Sequence, residues 1–391
     1  MSSKWIIDNI RIVTETGVTE GSVAIKDGII SQVMTKEERS KAEGLQGFEV
    51  FDGNNGYLLP GFIDIHVHGG FGHDFMIASK ENYDAITSFH ASQGTTTMLA
   101  TTVTASKEAI EKVLQTTSEY TMSDMPYAEL FGVHLEGPFI SEKFPGAQNP
   151  AFISEPRLDW MKEWVDKYPN VIKQLTLAPE KEGAVELISW VAEQGIIAAC
   201  GHTDALYEHM QKAADAGLSH AVHTYNAMRG LHHREPGTLG AVLSDDRIYA
   251  ELIADGEHVH PASIAILLKS KPLDKVILIS DAIESAGMPD GQYDLGGLPV
   301  IVKDGVARLE NGITLAGSSL TMIRAFRYML SNTNLAIHDV SRLASLNAAE
   351  RLGIADRTGS IAVGKQANLV WTDSELNVQN TWVKGRSVYS K

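Results

Sequence analysis

The sequence predicts an α/β chain: a (β/α)8 TIM-like barrel with a small flanking β-sandwich built from both chain termini. Three observations predict it. Apolar or β-branched runs recur eight times through the middle of the chain, and helix-like segments separate most of them. Five short pieces also place a metal-ligand or acid/base residue at the end of an apolar run: His66 with His68, Glu136, His202, His223 and Asp281. Alternating strand and helix implies a parallel sheet. Eight such units in about the length of one barrel imply closure, with the strand ends gathered at one mouth.

The elements follow in order. Residues 5 to about 57 alternate apolar and polar, broken at Thr16-Gly17, Asp27-Gly28 and Asp52-Gly53, which reads as short antiparallel strands. Barrel strands are expected near 62–67, 95–101, 129–135, 172–177, 196–200, 220–224, 249–254 and 276–280. Helices are expected over 107–120, 182–194, 207–216 and 261–270. A hairpin is expected across 300–315, turning at Asp304-Gly305 and Asn311-Gly312. Near the C-terminus, 360–362, 368–372 and 378–389 again read as strands. Neither end is long enough to bury a sheet core alone. Residues 1–58 and 359–391 are therefore expected to share the β domain, leaving 59–358 for the barrel.

Charge and composition narrow the function. The formal net charge of −16 disfavours nucleic acid and anionic membranes as partners. An anionic substrate would need a local basic patch working against that field. No run of 18 apolar residues is present, so no membrane span is expected. The start, MSSKWIIDNIRIV, lacks the pattern of a secretory signal. The single cysteine, Cys200, rules out an internal disulfide and fits a reducing, cytoplasmic compartment.

His66 and His68 are two apart on one strand, so both rings face one side, the interior at a barrel mouth. Glu136 follows a strand and could bridge two metals or complete one site. His202 and His223 end two successive strands, and neutral imidazole is the commonest ligand for zinc-like ions. Asp281 closes the last run; it could be a helix cap or, beside a metal, an acid/base group. His134 is in strand phase with Glu136 and is expected to face the interior. A divalent ion lowers the pKa of bound water from about 15.7 to about 7. The expected reaction is attack of that hydroxide on an amide-like carbonyl without a covalent enzyme intermediate. No G-x-S-x-G elbow is present, and Gly69-Gly70-Phe71-Gly72 suits neither a dinucleotide fingerprint nor a P-loop.

The ordered stretches PGFIDIHVHGG, FGVHLEGPF, KFPGAQNPAF, CGHTDA, HTYNAMRGLHHREPG, IADGEHVHP, ISDAI and TLAGSSLTM span essentially the whole chain. Together they resemble the amidohydrolase superfamily and, within it, the branch that deacetylates N-acetylglucosamine 6-phosphate. The resemblance implies that Glu136, His202 and His223 hold a divalent metal and that Asp281 is the catalytic acid/base. Because His66 and His68 are present, it implies two ions per subunit (zinc, iron, manganese or cobalt), with Asp281 also among the ligands. Many relatives bridge their metals with a carboxylated lysine after the fourth strand. Here that region reads QLTLAPE, with Lys173 near the strand's start, so Glu136 takes the bridging role. For the substrate, an amino-sugar phosphate, the resemblance implies contacts from Ala147, Gln148, Asn226, Ala227, His258, Leu315, Ala316 and Gly317. Gln148 stands where relatives often have His. Arg234 matches a phosphate-binding arginine, whose guanidinium suits phosphate oxygens. The resemblance also implies a homodimer, with His232 and His233 either on the open surface or reaching a neighbouring subunit's site. The alternatives are the galactosamine epimer as substrate, a cyclic-amide or nucleobase amidohydrolase, and a non-catalytic barrel.

Overall fold

The computed structural model describes residues 4–391. Its centre is a barrel of eight parallel strands: β1 (Phe62–Asp64), β2 (Thr95–Thr101), β3 (Glu129–Glu136), β4 (Ile172–Leu177), β5 (Ile197–Cys200), β6 (His220–Ala221), β7 (Tyr249–Ile253) and β8 (Val276–Ile279). Neighbours in the sheet are neighbours in sequence from β1 to β8. Strands covered on both faces read as unbroken apolar runs rather than alternations, and Val276-Ile277-Leu278-Ile279 is buried throughout. The seam between β8 and β1 is drawn together just beyond the strands. The Asp281 N–H donates to His66 O at 2.9 Å, and Ser280 Oγ donates to Asp64 Oδ2 at 2.5 Å.

Helices cover the outside by the logic of their sequences. Lys107–Thr121 is capped by Ser106, whose Oγ accepts from Ala109 N at 3.3 Å. It buries Ile110, Val113, Leu114 and Thr117, one stripe at helical spacing. Removing such a cap costs about 1 kcal/mol. The helices Ala184–Glu193, Tyr207–Asp215 and Pro261–Ser270 lie where the periodicity places them.

Both chain ends combine into one eight-stranded sheet: Lys4–Thr14, Gly17–Lys26, Ile29–Thr35, Glu49–Asp52, Tyr57–Pro60, Leu369–Thr372, Val378–Val383 and Arg386–Ser390. Asp27 (φ 53°) and Gly28 (φ 79°) make the tight turn of a hairpin. Trp5 stacks on Trp382 with ring centroids 4.6 Å apart, although two strands separate theirs along the sheet. The sheet therefore folds over its own core, as a sandwich requires. Tyr57–Pro60 pairs within this sheet and then runs through Gly61 into β1.

Three local expectations are corrected. Glu49–Asp52 and Tyr57–Pro60 pair parallel, not antiparallel, with Lys4–Thr14, because the connection over 36–48 is long enough to return the chain to the same end of the sheet and Tyr57–Pro60 continues in the same direction. Residues 360–362 are not a strand; Gly359 and Gly364, at φ 88° and 92°, turn the chain on either side, while Ile361 still joins the sheet's core. Residues 36–41 form a short helix instead of continuing the strands. Thr35 and Glu38 cap each other's backbone N–H there, a T-x-x-E signal visible in the sequence. The hairpin near residue 300 is present as Leu298–Lys303 with Val306–Leu309, joined by a third strand, Gly291–Leu295. This insert follows β8 and leans over the mouth. Among the described residues, no helix is long and apolar enough to cross a membrane.

Candidate metal centre

The six donors expected from sequence meet at the mouth of the barrel. His66 and His68 lie beyond β1, Glu136 is the last residue of β3, and His202, His223 and Asp281 lie just beyond β5, β6 and β8. These last three have left-handed backbones, at φ 47°, 31° and 50°. Residues with a Cβ rarely adopt that region, and its cost is tolerated where a side chain must be aimed. Gly146, at φ 55°, lets the loop after β3 press against His202; a Cβ there would stand 3.1 Å from the ring.

Glu136 is the hub. Its Oε1 lies 3.0 Å from His223 Nε2, 3.3 Å from His202 Nε2 and 3.3 Å from His66 Nε2. Its Oε2 lies 3.4 Å from His68 Nε2. Asp281 Oδ1 stands 3.2 Å from His68 Nε2 and 3.6 Å from His66 Nε2. One oxygen of Glu136 thus faces the His202–His223 side, and the other faces His68.

These residues fit a cation. His202 Nδ1 donates to Phe144 O at 3.0 Å, and His223 Nδ1 donates to Asn226 O at 3.1 Å. A carbonyl can only accept, so each ring carries a proton on Nδ1 and turns its Nε2 toward the other. His66 Nε2 is buried with no hydrogen-bond partner, although two carboxylates lie close by. The ligand atoms of His66, His68 and Asp281 fall within 4.8 Å of one another, as do those of His66, Glu136 and His223. Burial raises the cost of charge on Glu136 and Asp281, yet the surrounding imidazoles hold both carboxyls below their ordinary range. Burial likewise opposes a charged His66, but Glu136, Glu251 and Asp281 outweigh it and hold its pKa well above normal. The pocket favours positive charge, which a divalent ion held by these donors would supply.

Above the donors opens a cavity of about 470 Å³. Ala147, Gln148, Asn226, Ala227, His258, Leu315 and Gly317, seven of the residues expected to contact substrate, line it. Gln148 is turned to Glu136: its Nε2 donates to Oε2 at 2.6 Å, and its Oε1 accepts from Thr104 N at 2.6 Å. His258 Nδ1 pairs with Asp255 Oδ2 at 2.7 Å. Burial lowers the His258 pKa, but Asp255 outweighs it and leaves it raised. Ala316 is buried beneath the insert, behind the wall. Arg234 is also off the wall. It stands exposed on the loop closed by the His232–Glu235 bridge, with Nη1 2.7 Å from His233 Nε2. Lys173 lies away from the donors with its Nζ over the Phe131 ring, so no lysine bridges there.

Sequence reasoning missed three contributors. Lys143, inside the stretch KFPGAQNPAF, lines the cavity and pairs with Asp204 at 2.9 Å. Asp255 orients His258, a spacing of three that the segment DGEH displays. Glu251 lies in the apolar run of β7, where a buried acid was itself the signal. His134 does face the interior: its ring packs 4.6 Å from that of His66, and its Nε2 lies 2.7 Å from Thr176 Oγ1.

The family model described as "Amidohydrolase family" matches residues 57–388. A Bacillus subtilis protein called N-acetylglucosamine-6-phosphate deacetylase is 42% identical over 396 residues, covering 100% of this chain and 98% of that one. An Escherichia coli O157:H7 protein called N-acetylgalactosamine-6-phosphate deacetylase is 36% identical, covering 96% and 97%. Among solved structures, a Mycobacterium smegmatis N-acetyl-D-glucosamine-6-phosphate deacetylase, an aspartate-to-alanine variant in complex with N-acetyl-D-glucosamine 6-phosphate, superimposes with a TM-score of 0.92. It is 30% identical and covers 99% of this chain and 100% of its own.

Proposed function

The chain belongs to the amidohydrolase family, and on that premise we propose that it hydrolyses the 2-acetamido group of N-acetylglucosamine 6-phosphate to glucosamine 6-phosphate and acetate. The observation that carries this reading is the convergence of four imidazoles on Glu136, with Asp281 beside two of them, beneath a cavity large enough for a sugar phosphate. The glucosamine epimer is preferred because the relatives of that name include the one at 42% identity, against 36% for the galactosamine enzyme.

The enzyme is metal-dependent. We assign two ions: Glu136, His202 and His223 would hold one, and His66, His68 and Asp281 the other. A divalent metal held by these residues would supply an activated water near neutral pH and polarise the amide carbonyl. The protein's own groups do the rest. Asp281, at the cavity floor, accepts the proton of the attacking water and passes it to the sugar nitrogen as the C–N bond breaks. Acetate and free amine leave, and the carboxylate is regenerated. His258, fixed by Asp255, presents its other edge to the cavity and hydrogen-bonds the sugar. Asn226, Ala227 and Gln148 shape the adjoining wall, while Leu315 and Gly317 close over the ring.

We further propose a homodimer, in which the exposed Arg234 loop meets a neighbour's cavity rim and adds cationic character from outside. A cytoplasmic location fits the single, buried Cys200.

The test is a panel of N-acetylhexosamines, with and without 6-phosphate, assayed for free amine. N-acetylglucosamine 6-phosphate is expected to give the highest kcat/KM. Equal turnover of the unphosphorylated sugar would remove the phosphate-recognition half of the reading, and preference for the galacto epimer would exchange the substrate.

A further inference from the structure

Glu251 is a fully buried acid on β7, below the floor of the metal centre. Its Oε2 accepts from His66 Nδ1 at 2.8 Å and from the His223 backbone N–H at 3.2 Å. Its Oε1 accepts from His220 Nε2 at 2.9 Å and from Gln174 Nε2 at 3.2 Å. An ionised carboxylate offers about four acceptor positions, and all are in use. Among the described residues, its ion-pair partners are the imidazoles of His66 and His220, with no lysine or arginine.

This arrangement has two consequences. A carboxylate that accepts a hydrogen bond from Nδ1–H of His66 keeps the ring proton there and leaves Nε2 as the lone-pair end, and Nε2 is the atom that faces Glu136 and Asp281 without a hydrogen bond. The same carboxylate holds the His223 backbone, so one group registers a donor beyond β1 against a donor beyond β6. Its far oxygen is clamped by His220 and Gln174, which stops it from turning away.

We infer that Glu251 is a positioning residue for the metal centre. It fixes the His66 tautomer and lends that ring negative charge, which makes the His66–His68–Asp281 position able to hold its cation. The inference rests on the two-ion reading above. Loss of such a supporting partner weakens metal binding by about 10–100-fold. In Glu251→Gln the amide nitrogen can face one of two ways. Facing His66, it drives the ring proton onto Nε2 and blocks the ligand atom. Facing His220 and Gln174, it keeps the bond to His66 but removes the charge. Both outcomes weaken the same ion.

The test uses chelator-stripped, full-length protein retitrated with zinc chloride by calorimetry, with metal content measured by mass spectrometry. Wild type, His66→Ala and Glu251→Gln are compared. Wild type is expected to take two ions and His66→Ala one. Glu251→Gln should take the first with wild-type affinity and the second about 10–100-fold more weakly. A second ion bound by Glu251→Gln as tightly as by wild type overturns the inference. A wild type that saturates at one ion overturns the two-ion reading beneath it instead. Should Glu251→Gln fail to fold, the tautomer decides in the wild type. In zinc-loaded, ¹⁵N-histidine-labelled protein, with His66 assigned by difference from His66→Ala, an Nδ1-protonated ring supports the inference and an Nε2-protonated ring overturns it.

Discussion

His202 and His223 face each other Nε2 to Nε2 at 3.1 Å, while each Nδ1–H is bound to a backbone carbonyl. Two lone pairs at that distance repel, and Glu136 Oε1 approaches both. Only a proton or a cation between them relieves the contact. A metal ion at that point would relieve the contact and tie the ends of β5 and β6 together.

Metal removal should therefore destabilise the fold as well as abolish turnover. An ion present at a hundred times its Kd stabilises by about 2.7 kcal/mol. Chelation should accordingly lower Tm by several degrees, with recovery on adding zinc or manganese. Scanning calorimetry before and after chelation measures it. A Tm indifferent to chelator, in protein verified to have lost its metal, would mean the donor cluster carries no such tension.

Asp281, the proposed acid/base, has Oδ1 3.2 Å from His68 Nε2 and lines the cavity. Asparagine keeps its shape but cannot shuttle a proton. Asp281→Asn should lower kcat by at least about 10², while the Glu136–His202–His223 ion stays bound. Steady-state kinetics with metal analysis of the same sample measures both, and a kcat within threefold of wild type would strip Asp281 of the role.

His90 gives a pH prediction away from the metal ligands. It is buried beneath the mouth, where its Nε2 donates to Gly69 O at 2.9 Å. Burial pushes its pKa down from 6.5 to about 4, and the bond to Gly69 opposes this only partly. The unfolded chain therefore takes up a proton below about pH 6.5 that the folded chain refuses until about pH 4. Stability is lost as pH falls through that window, by about 2 kcal/mol at pH 5. His90→Gln keeps the donor and removes the titration. Urea unfolding at pH 7 and pH 5 should show a smaller acid loss for the variant, and equal losses would contradict the assignment.

What the sequence displayed and what it hid follow from physics. Barrel strands buried on both faces stand out as apolar runs, and a donor at the end of each run is conspicuous because the run itself is not polar. His66, His68, Glu136, His202, His223 and Asp281 were legible for that reason. Glu251 was not, because one acid inside an apolar run looks like an interruption until its four donors, from three different strands and their ends, are seen together. The strand Gly291–Leu295 was hidden because it carries Gly291, Gln292 and Asp294 and is only partly covered. Arg234 was legible as a cation but not as an exposed one, since exposure of a loop is decided by tertiary packing.

That displacement of Arg234 bears on how an acidic chain recognises a phosphate. Among the described residues, Lys143 is the one lysine or arginine on the cavity wall. Its Nζ rests 2.9 Å from Asp204, and Asp204 is also paired with Arg229. If Lys143 turns to an incoming anion, Asp204 keeps Arg229 as its counter-ion, so no carboxylate is stranded and the move costs little. A hydrogen bond to a charged group contributes about 1.5–3 kcal/mol. Lys143→Ala should therefore raise KM for the 6-phosphorylated sugar by roughly 10–100-fold, leave kcat nearly unchanged, and leave the poor turnover of the unphosphorylated sugar as it was. Arg234→Ala provides the contrast. Its effect should depend on subunit association, weakening as the protein is diluted below its dimer Kd, whereas the Lys143→Ala effect should not. Kinetics of both variants on both sugars across a concentration series measures this, and an unchanged KM in Lys143→Ala would leave the phosphate to the neighbouring subunit alone.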